Sequence, residues 1–155
     1  CYWTHHSWDG CEGIDDATYR APGEEFLAPL AAFWQGLEWW RLSPDWTLVQ
    51  RRGAAPLAYA LQAPTPARDL AVMYLCTEET GRRVPAREMG LLLLEGVYRV
   101  RLYHPATGAY EEAGEIVGQG LGRTTPLEAP AFTDDLVVRL DLVERRERGR
   151  LGGTG

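Results

Sequence analysis

The stretch Val97-Tyr98-Arg99-Val100-Arg101-Leu102-Tyr103-His104-Pro105-Ala106-Thr107-Gly108-Ala109-Tyr110 decides how this chain folds. Tyr98, Val100 and Leu102 alternate with Arg99, Arg101 and Tyr103, the period-two pattern of a strand with one face toward a core. Pro105 fixes its own φ and pushes His104 toward an extended conformation, while Gly108 can adopt the left-handed geometry of a tight reversal. His104 to Gly108 therefore predicts a hairpin turn, after which the chain returns as a second strand.

Working outward, Ala109 to Glu112 continues the hairpin and Ile116-Val117 forms another short strand. Gly114, Gly118, Gly120 and Gly122 read as a flexible bend, without the strand-to-helix setting of a phosphate-cradling loop. Pro126 and Pro130 flank an extended segment. In the closing strand Leu136, Val138, Leu140 and Leu142 share a face, with Val137, Arg139 and Asp141 opposite. Upstream, Leu57 to Gln62 and Leu70 to Leu75 read as strands around a turn-rich Ala63 to Arg68, and Leu91 to Leu94 as a short buried strand.

Before these ribbons the period changes. From Glu24 to about Arg41, Phe26, Leu30, Phe33, Leu37 and Trp40 recur at helical spacing, with Leu27 and Trp34 widening the stripe. Pro29 either stands in the first turn of this helix or kinks it. Burying five such side chains gains on the order of 10 kcal/mol gross, so the stripe predicts a substantial partner, a sheet or an upstream part. Pro44 closes the helical region. The whole predicts an antiparallel β-sandwich preceded by one amphipathic helix. From Glu144 onward the tail offers little to bury and is expected to be disordered.

The 155 residues carry a net charge of −6, which disfavours nucleic acid, where affinity comes largely from neutralising phosphates. All 16 basic residues are Arg, a composition that fits GC-rich codon usage better than a function. No apolar run approaches the ~20 residues needed to cross a bilayer, so a soluble chain without a membrane partner is expected. Three cysteines, Cys1, Cys11 and Cys76, are too few for a disulfide framework, although Cys1 and Cys11 could pair. The chain opens at Cys1 on an aromatic cluster, which suggests a fragment with an upstream N-terminus.

That cluster holds Trp3, His5, His6, Trp8 and Asp9. Flat rings beside short polar groups suit a sugar-binding rim, because a pyranose stacks its C–H face on an aromatic ring while carboxylate and imidazole hold its hydroxyls. The alternative is a loop whose tryptophans pack on the following helix. A metal is not expected, since adjacent histidines on a strand point to opposite faces, and the acidic residues lack a calcium-loop spacing. No cofactor is implied.

The turn Tyr103-His104-Pro105-Ala106-Thr107-Gly108 resembles the aromatic-Asp-Pro-x-Thr-Gly turn of a C-terminal β-sandwich named for collagen binding. That sandwich follows the catalytic barrel in a bacterial glycoside-hydrolase-like, apiosidase-like family. Trp39, Leu42, Pro44 and Asp45 are similar to the family's Trp-x-x-Leu-x-Pro-Asp passage between barrel and sandwich, and Arg68 to Leu75 to its strand ending Tyr-Leu-Pro. His104 replaces Asp, Cys76 replaces Pro, and Leu136 replaces a Trp of the closing strand. The resemblance covers Glu24 to Val143.

It implies that residues 1–42 are the end of a (β/α)8 barrel, 43–143 a sandwich and 144–155 a tail, with the catalytic carboxylates in the upstream barrel. Two functions follow. The chain is the C-terminal part of a carbohydrate-active enzyme, not catalytic alone, its sandwich supporting the upstream barrel domain and its N-terminal aromatic loop lining the sugar cleft. Alternatively it is an adhesion module for polysaccharide or a matrix protein such as collagen. A binding sandwich exposes aromatics, and the candidates are Tyr59, Tyr74, Tyr98, Tyr103 and Tyr110. Tyr98 is expected in the core, and Tyr103 and Tyr110, with His104, at the surface.

Overall fold

A computed structural model of the chain describes residues 27–51 and 57–146. In chain order the elements are α1 (Leu27–Gln35), a 3-10 turn (Trp39–Arg41), β1 (Ser43–Pro44), β2 (Val49–Arg51), β3 (Leu57–Gln62), β4 (Leu70–Cys76), β5 (Arg83–Val84), β6 (Arg87–Leu91), β7 (Gly96–His104), β8 (Ala109–Gly118), β9 (Thr125–Ala129), β10 (Phe132–Thr133) and β11 (Asp135–Arg145). The N-terminal aromatic loop, Cys1 and Cys11, and residues 147–155 of the tail lie outside the described residues; Glu144 and Arg145, expected to begin a disordered tail, instead end β11, paired with Val97 and Gly96 of β7.

Every strand pairing is antiparallel. One sheet runs β1-β3-β4-β11-β7-β8, a second runs β2-β6-β9, and β5 and β10 form a small pair. Leu136, Val138 and Leu140 of β11 face the second sheet together with Met73 and Leu75 of β4 and Tyr98, Val100 and Leu102 of β7. Met89 and Leu91 of β6 and Leu127 of β9 close this core from the other side. The molecule is thus an antiparallel β-sandwich bearing one helix, and the alternation in β7 and β11 falls on the core as the sequence predicts.

The opposite face of the larger sheet is apolar as well. Leu70, Val72, Val137 and Tyr103 form a second cluster with Phe33 and Leu37, and Trp34 and Leu42 pack against it. The partner demanded by the helical stripe is therefore this outer sheet face. The helix itself is shorter than expected at its C-terminal end. It stops at Gln35, before Gly36, and the Gly36 carbonyl accepts a 2.8 Å bond from Arg139 Nη1, a cation where the helix dipole favours one. Past that break the helical spacing no longer applies, so Trp40 lies on the 3-10 turn and is 66% exposed instead of continuing the stripe. Pro29 stands within the first described turn of α1 and meets the hairpin: a β-carbon on Gly108 would come within 3.1 Å of its ring.

The hairpin turn forms as predicted. The His104 carbonyl accepts bonds from Thr107 N at 3.1 Å and Gly108 N at 2.8 Å, and Gly108 has φ +69. Its return strand differs from expectation. β8 is one ten-residue strand, because Arg99 pairs with Glu115 and Arg101 with Glu112, leaving Ala113 and Gly114 together opposite Val100 as a β-bulge. Gly114 supplies the positive φ of +90. The apolar run Leu91 to Leu94 is likewise not a strand. β6 precedes it and ends at Leu91, since Arg87 to Leu91 are the residues that find partners in β9.

Gly118 is no loop residue. It ends β8 directly opposite Gly96, and a β-carbon there would overlap the Leu94 carbonyl oxygen and lie 2.9 Å from a Tyr98 ring carbon. Asp45 organises the entry to β2. Its Oδ1 accepts bonds from Thr47 N at 2.7 Å, Thr47 Oγ1 at 2.6 Å and Leu48 N at 3.1 Å, and its Oδ2 pairs with Arg68 Nη2 at 2.7 Å. Burial alone would raise this carboxyl, but the Thr47 bonds and the Arg68 charge outweigh it and hold the group below its ordinary range.

Two outcomes test these assignments. Gly118→Ala is expected to lower stability by about 1–3 kcal/mol through overpacking against backbone, read as a lower urea midpoint at unchanged slope. Asp45→Ala is expected to cost about 1 kcal/mol or more at neutral pH by removing the acceptor of the Thr47 and Leu48 amides and of the part-buried Arg68 guanidinium. Because the folded Asp45 titrates below the unfolded carboxylate, its contribution is present above about pH 4 and lost as pH falls further. The variant should therefore lose less stability than the wild type between neutral and strongly acid pH, and an equal loss in both would contradict the assignment.

Candidate functional site

The strand registers set five side chains in a row across the outer sheet face. Tyr59 of β3 pairs with Tyr74 of β4, Tyr74 with Val137 of β11, Val137 with Tyr103 of β7, and Tyr103 with Tyr110 of β8. On a pleated sheet, directly paired residues share a face, so four tyrosines and one valine form a transverse stripe. Phe33 of α1 covers one half of it, with its ring centroid 4.8 Å from that of Tyr103 and 6.2 Å from that of Tyr110.

The other half is open. Beside α1 lies a groove of about 840 Å³ whose floor includes Tyr59, Tyr74, Val72 and Val137. Leu30 and Trp34 of the helix line it on one side, Pro44 and Trp46 also border it, and Pro105, Asp134 and Asp135 complete the lining. Tyr59 and Tyr74 are 49% and 39% exposed, and Trp46 is 70% exposed. These rings are available to a ligand.

Polar groups are few. The Tyr74 hydroxyl donates to Asp135 Oδ2 at 2.9 Å. Burial raises the Asp135 carboxyl; the Tyr74 bond opposes this, and the neighbouring Asp134 charge adds to it. Tyr74 is in turn pushed far up by burial and by its bond to Asp135, so it remains a neutral donor. Asp134 is committed to structure: it has φ +64, its amide donates to the Arg82 carbonyl at 3.1 Å, and its carboxylate accepts from Gly81 N. Tyr103 also lines the groove, and its buried hydroxyl has no hydrogen-bond partner among the described residues.

The sequence-based expectation of exposure fails for Tyr103, which is 3% exposed. Its outward position on β7 is correct, but Phe33 lies on its ring. Tyr110 is exposed at the covered end of the row, and Tyr98 is fully buried in the core. His104 is half-buried at the hairpin, with Nε2 3.4 Å from Glu111 Oε2, and does not line the groove. Trp3, His5, His6, Trp8 and Asp9 lie outside the described residues. Trp46 and Asp135 were not singled out by sequence reasoning. Nothing in their local pattern marks them, since their approach to Tyr59 and Tyr74 depends on strand pairing.

The two carboxylates lining the groove, Asp134 and Asp135, are adjacent in sequence, and the former is tied to backbone. Cys76, on the same face, has its thiol raised by burial and then by the Asp135 and Glu78 charges, which favours the protonated form. No group of three or more His, Cys, Asp or Glu that could hold a metal occurs among the described residues. No helix among them is long and apolar enough to cross a membrane.

No protein-family model and no curated protein sequence matches the chain. Solved structures do share its fold. One, described as a glycoside hydrolase, superposes with a TM-score of 0.58 at 16% identity over 80% of this chain. Another, a glycoside hydrolase family 5 protein from Bacteroides vulgatus, gives 0.56 at 16% identity over 79% of this chain. The chain spans about a quarter of the length of these proteins, 26% and 25% respectively. At such identity the likeness is one of fold, a β-sandwich also found within longer glycoside hydrolases.

Proposed function

We propose that the chain is the C-terminal sandwich portion of a carbohydrate-active protein of glycoside-hydrolase type, not catalytic by itself, with residues 1–42 ending an upstream barrel and 43–143 forming its support. The observation that carries this reading is the uncovered aromatic surface around α1. Trp39 and Trp40 form an edge-to-face pair, centroids 6.2 Å apart, at 56% and 66% exposure. Large apolar side chains clustered at the surface mark a missing neighbour more often than a finished one. The fold likeness to one quarter of longer glycoside hydrolases supports a barrel as that neighbour. Trp3, His5, His6, Trp8 and Asp9 retain the role of a sugar-cleft rim on sequence grounds, as part of the same proposal. The carboxylates of hydrolysis then belong to the barrel.

The alternative, an adhesion module holding polysaccharide or collagen, predicts a domain that needs no partner on its helical side. Light scattering and dye binding on the whole chain separate the two. A support domain without its barrel is expected to self-associate with rising concentration and to bind an apolar dye. Replacing Trp39 and Trp40 by Ser should suppress both effects while changing stability by less than about 1 kcal/mol, as for surface sites. A wild-type chain that stays monomeric, binds no dye and is retained on collagen would reject the support role in favour of adhesion.

A further inference from the structure

We infer that the open groove beside α1 is a saccharide-binding site, with Tyr59, Tyr74 and Trp46 as stacking platforms and the Asp135 carboxylate and Tyr103 hydroxyl as hydrogen-bonding partners. The inference goes beyond the support role and needs no barrel, since every named group belongs to the described sandwich.

Sugar rings are amphipathic: the C–H faces prefer a flat aromatic surface and the hydroxyls require donors and acceptors at the edge. Both parts are present. Tyr59 and Tyr74 stand side by side on neighbouring strands, and Trp46 borders the same space. The groove of about 840 Å³ is large enough for more than one ring. At its margin Asp135 accepts, among the described residues, a bond from Tyr74, leaving acceptor capacity open. Tyr103 lines the groove, and its buried hydroxyl has no partner among the described residues. Its pKa is raised by burial, then by Tyr110 and Asp135, which keeps it neutral and able to donate.

The polar pair also discriminates between occupants. An apolar protein segment laid into the groove would further desolvate the Asp135 carboxylate, which is unfavourable, and would gain nothing from the unpaired Tyr103 hydroxyl. A hydroxylated ring answers both while covering the tyrosine faces. A second copy of this chain docked through the same face would bring apolar rings and leave the Asp135 carboxylate desolvated.

Isothermal titration of the whole chain with cellohexaose, xylohexaose and mannohexaose tests the site. At least one is expected to bind with a Kd between about 10 μM and 1 mM, typical of a few stacked rings at modest free energy. Tyr74→Ala and Trp46→Ala should each weaken it about tenfold or more, the loss of a stacking platform. Tyr103→Phe should weaken it roughly threefold to tenfold, as expected for one hydrogen bond, without lowering the melting temperature, because the hydroxyl it removes has no partner among the described residues. Val117→Ser, at the far end of β8, should leave affinity unchanged. If Tyr74→Ala fails to fold, Trp46→Ala carries the stacking test, and Asp135→Asn, which should weaken binding, carries the polar one. No binding of any of the three at millimolar concentration overturns the inference. So does binding that survives the groove variants, or a dimer that Tyr59→Ser returns to monomer. The binding results do not bear on the Trp39 and Trp40 experiment, and a dimer that responds to Tyr59→Ser but not to the Trp39 and Trp40 replacements is told apart from it, so the two proposals fail separately.

Discussion

Because successive side chains of a strand point to opposite faces, every residue of β4, β7 and β11 that does not enter the sandwich core must find cover on the other side of the larger sheet. These strands carry apolar residues on both sides, as Val72 and Val137 illustrate. The inner face is closed by β2, β6 and β9. Among the described residues, the outer face is covered by α1, nine residues long. Such a helix is roughly 13 Å long and about 10 Å across with its side chains, whereas five strands at about 4.8 Å spacing extend roughly 19 Å from first to last. It therefore covers about half of the tyrosine row, and the groove is what remains.

A polar row next to the tyrosines determines where the helix sits. The registers align Leu61, Val72, Arg139, Arg101 and Glu112 one step along the same face. Arg139 reaches Asp141 with its Nε and Nη2 at 2.8–3.0 Å and offers Nη1 to the Gly36 carbonyl, while Arg101 holds the same carboxylate at 2.7 Å. A planar guanidinium can make these bonds at once where a lysine ammonium could not. Helix end and sheet are thus joined at Gly36, which fixes Phe33 one turn earlier over Tyr103. The placement of the groove follows from this junction as much as from apolar packing.

What could be read from sequence was whatever depends on local period. The faces of β7 and β11, the bounds of β3, the hairpin at Pro105 and Gly108, and the burial of Tyr98 all follow from alternation and turn chemistry. What could not be read depends on the partner strand. The bulge at Ala113 and Gly114 exists only relative to Val100, the short strands β1, β5 and β10 exist only as partners of longer ones, and Gly118 looks like a loop glycine until Leu94 and Tyr98 are set against it. Tyr103 shows the same limit at the site. Alternation placed it on the outward face correctly, but outward means solvent only if nothing lies above, and Phe33 is 70 residues away in sequence. Tyr59 and Tyr74 were visible as exposed candidates; their adjacency to Trp46 and Asp135 was not.

Two carboxylates in the described fold separate structural from functional use. Asp45 and Asp135 are both partly buried, yet the first is held below the ordinary range and the second above it. The difference is saturation. Asp45 accepts from Thr47, Leu48 and Arg68, enough bonds and charge to outweigh desolvation, and it serves as a finished cap. Asp135 has one neutral donor and a neighbouring negative charge, so its desolvation is uncompensated. A fold gains nothing in stability from leaving such a group short of partners, nor from the Tyr103 hydroxyl, which has none among the described residues. Their coincidence on one aromatic groove, where an apolar pair would have packed more stably, is accounted for if a hydroxyl-bearing ligand completes both.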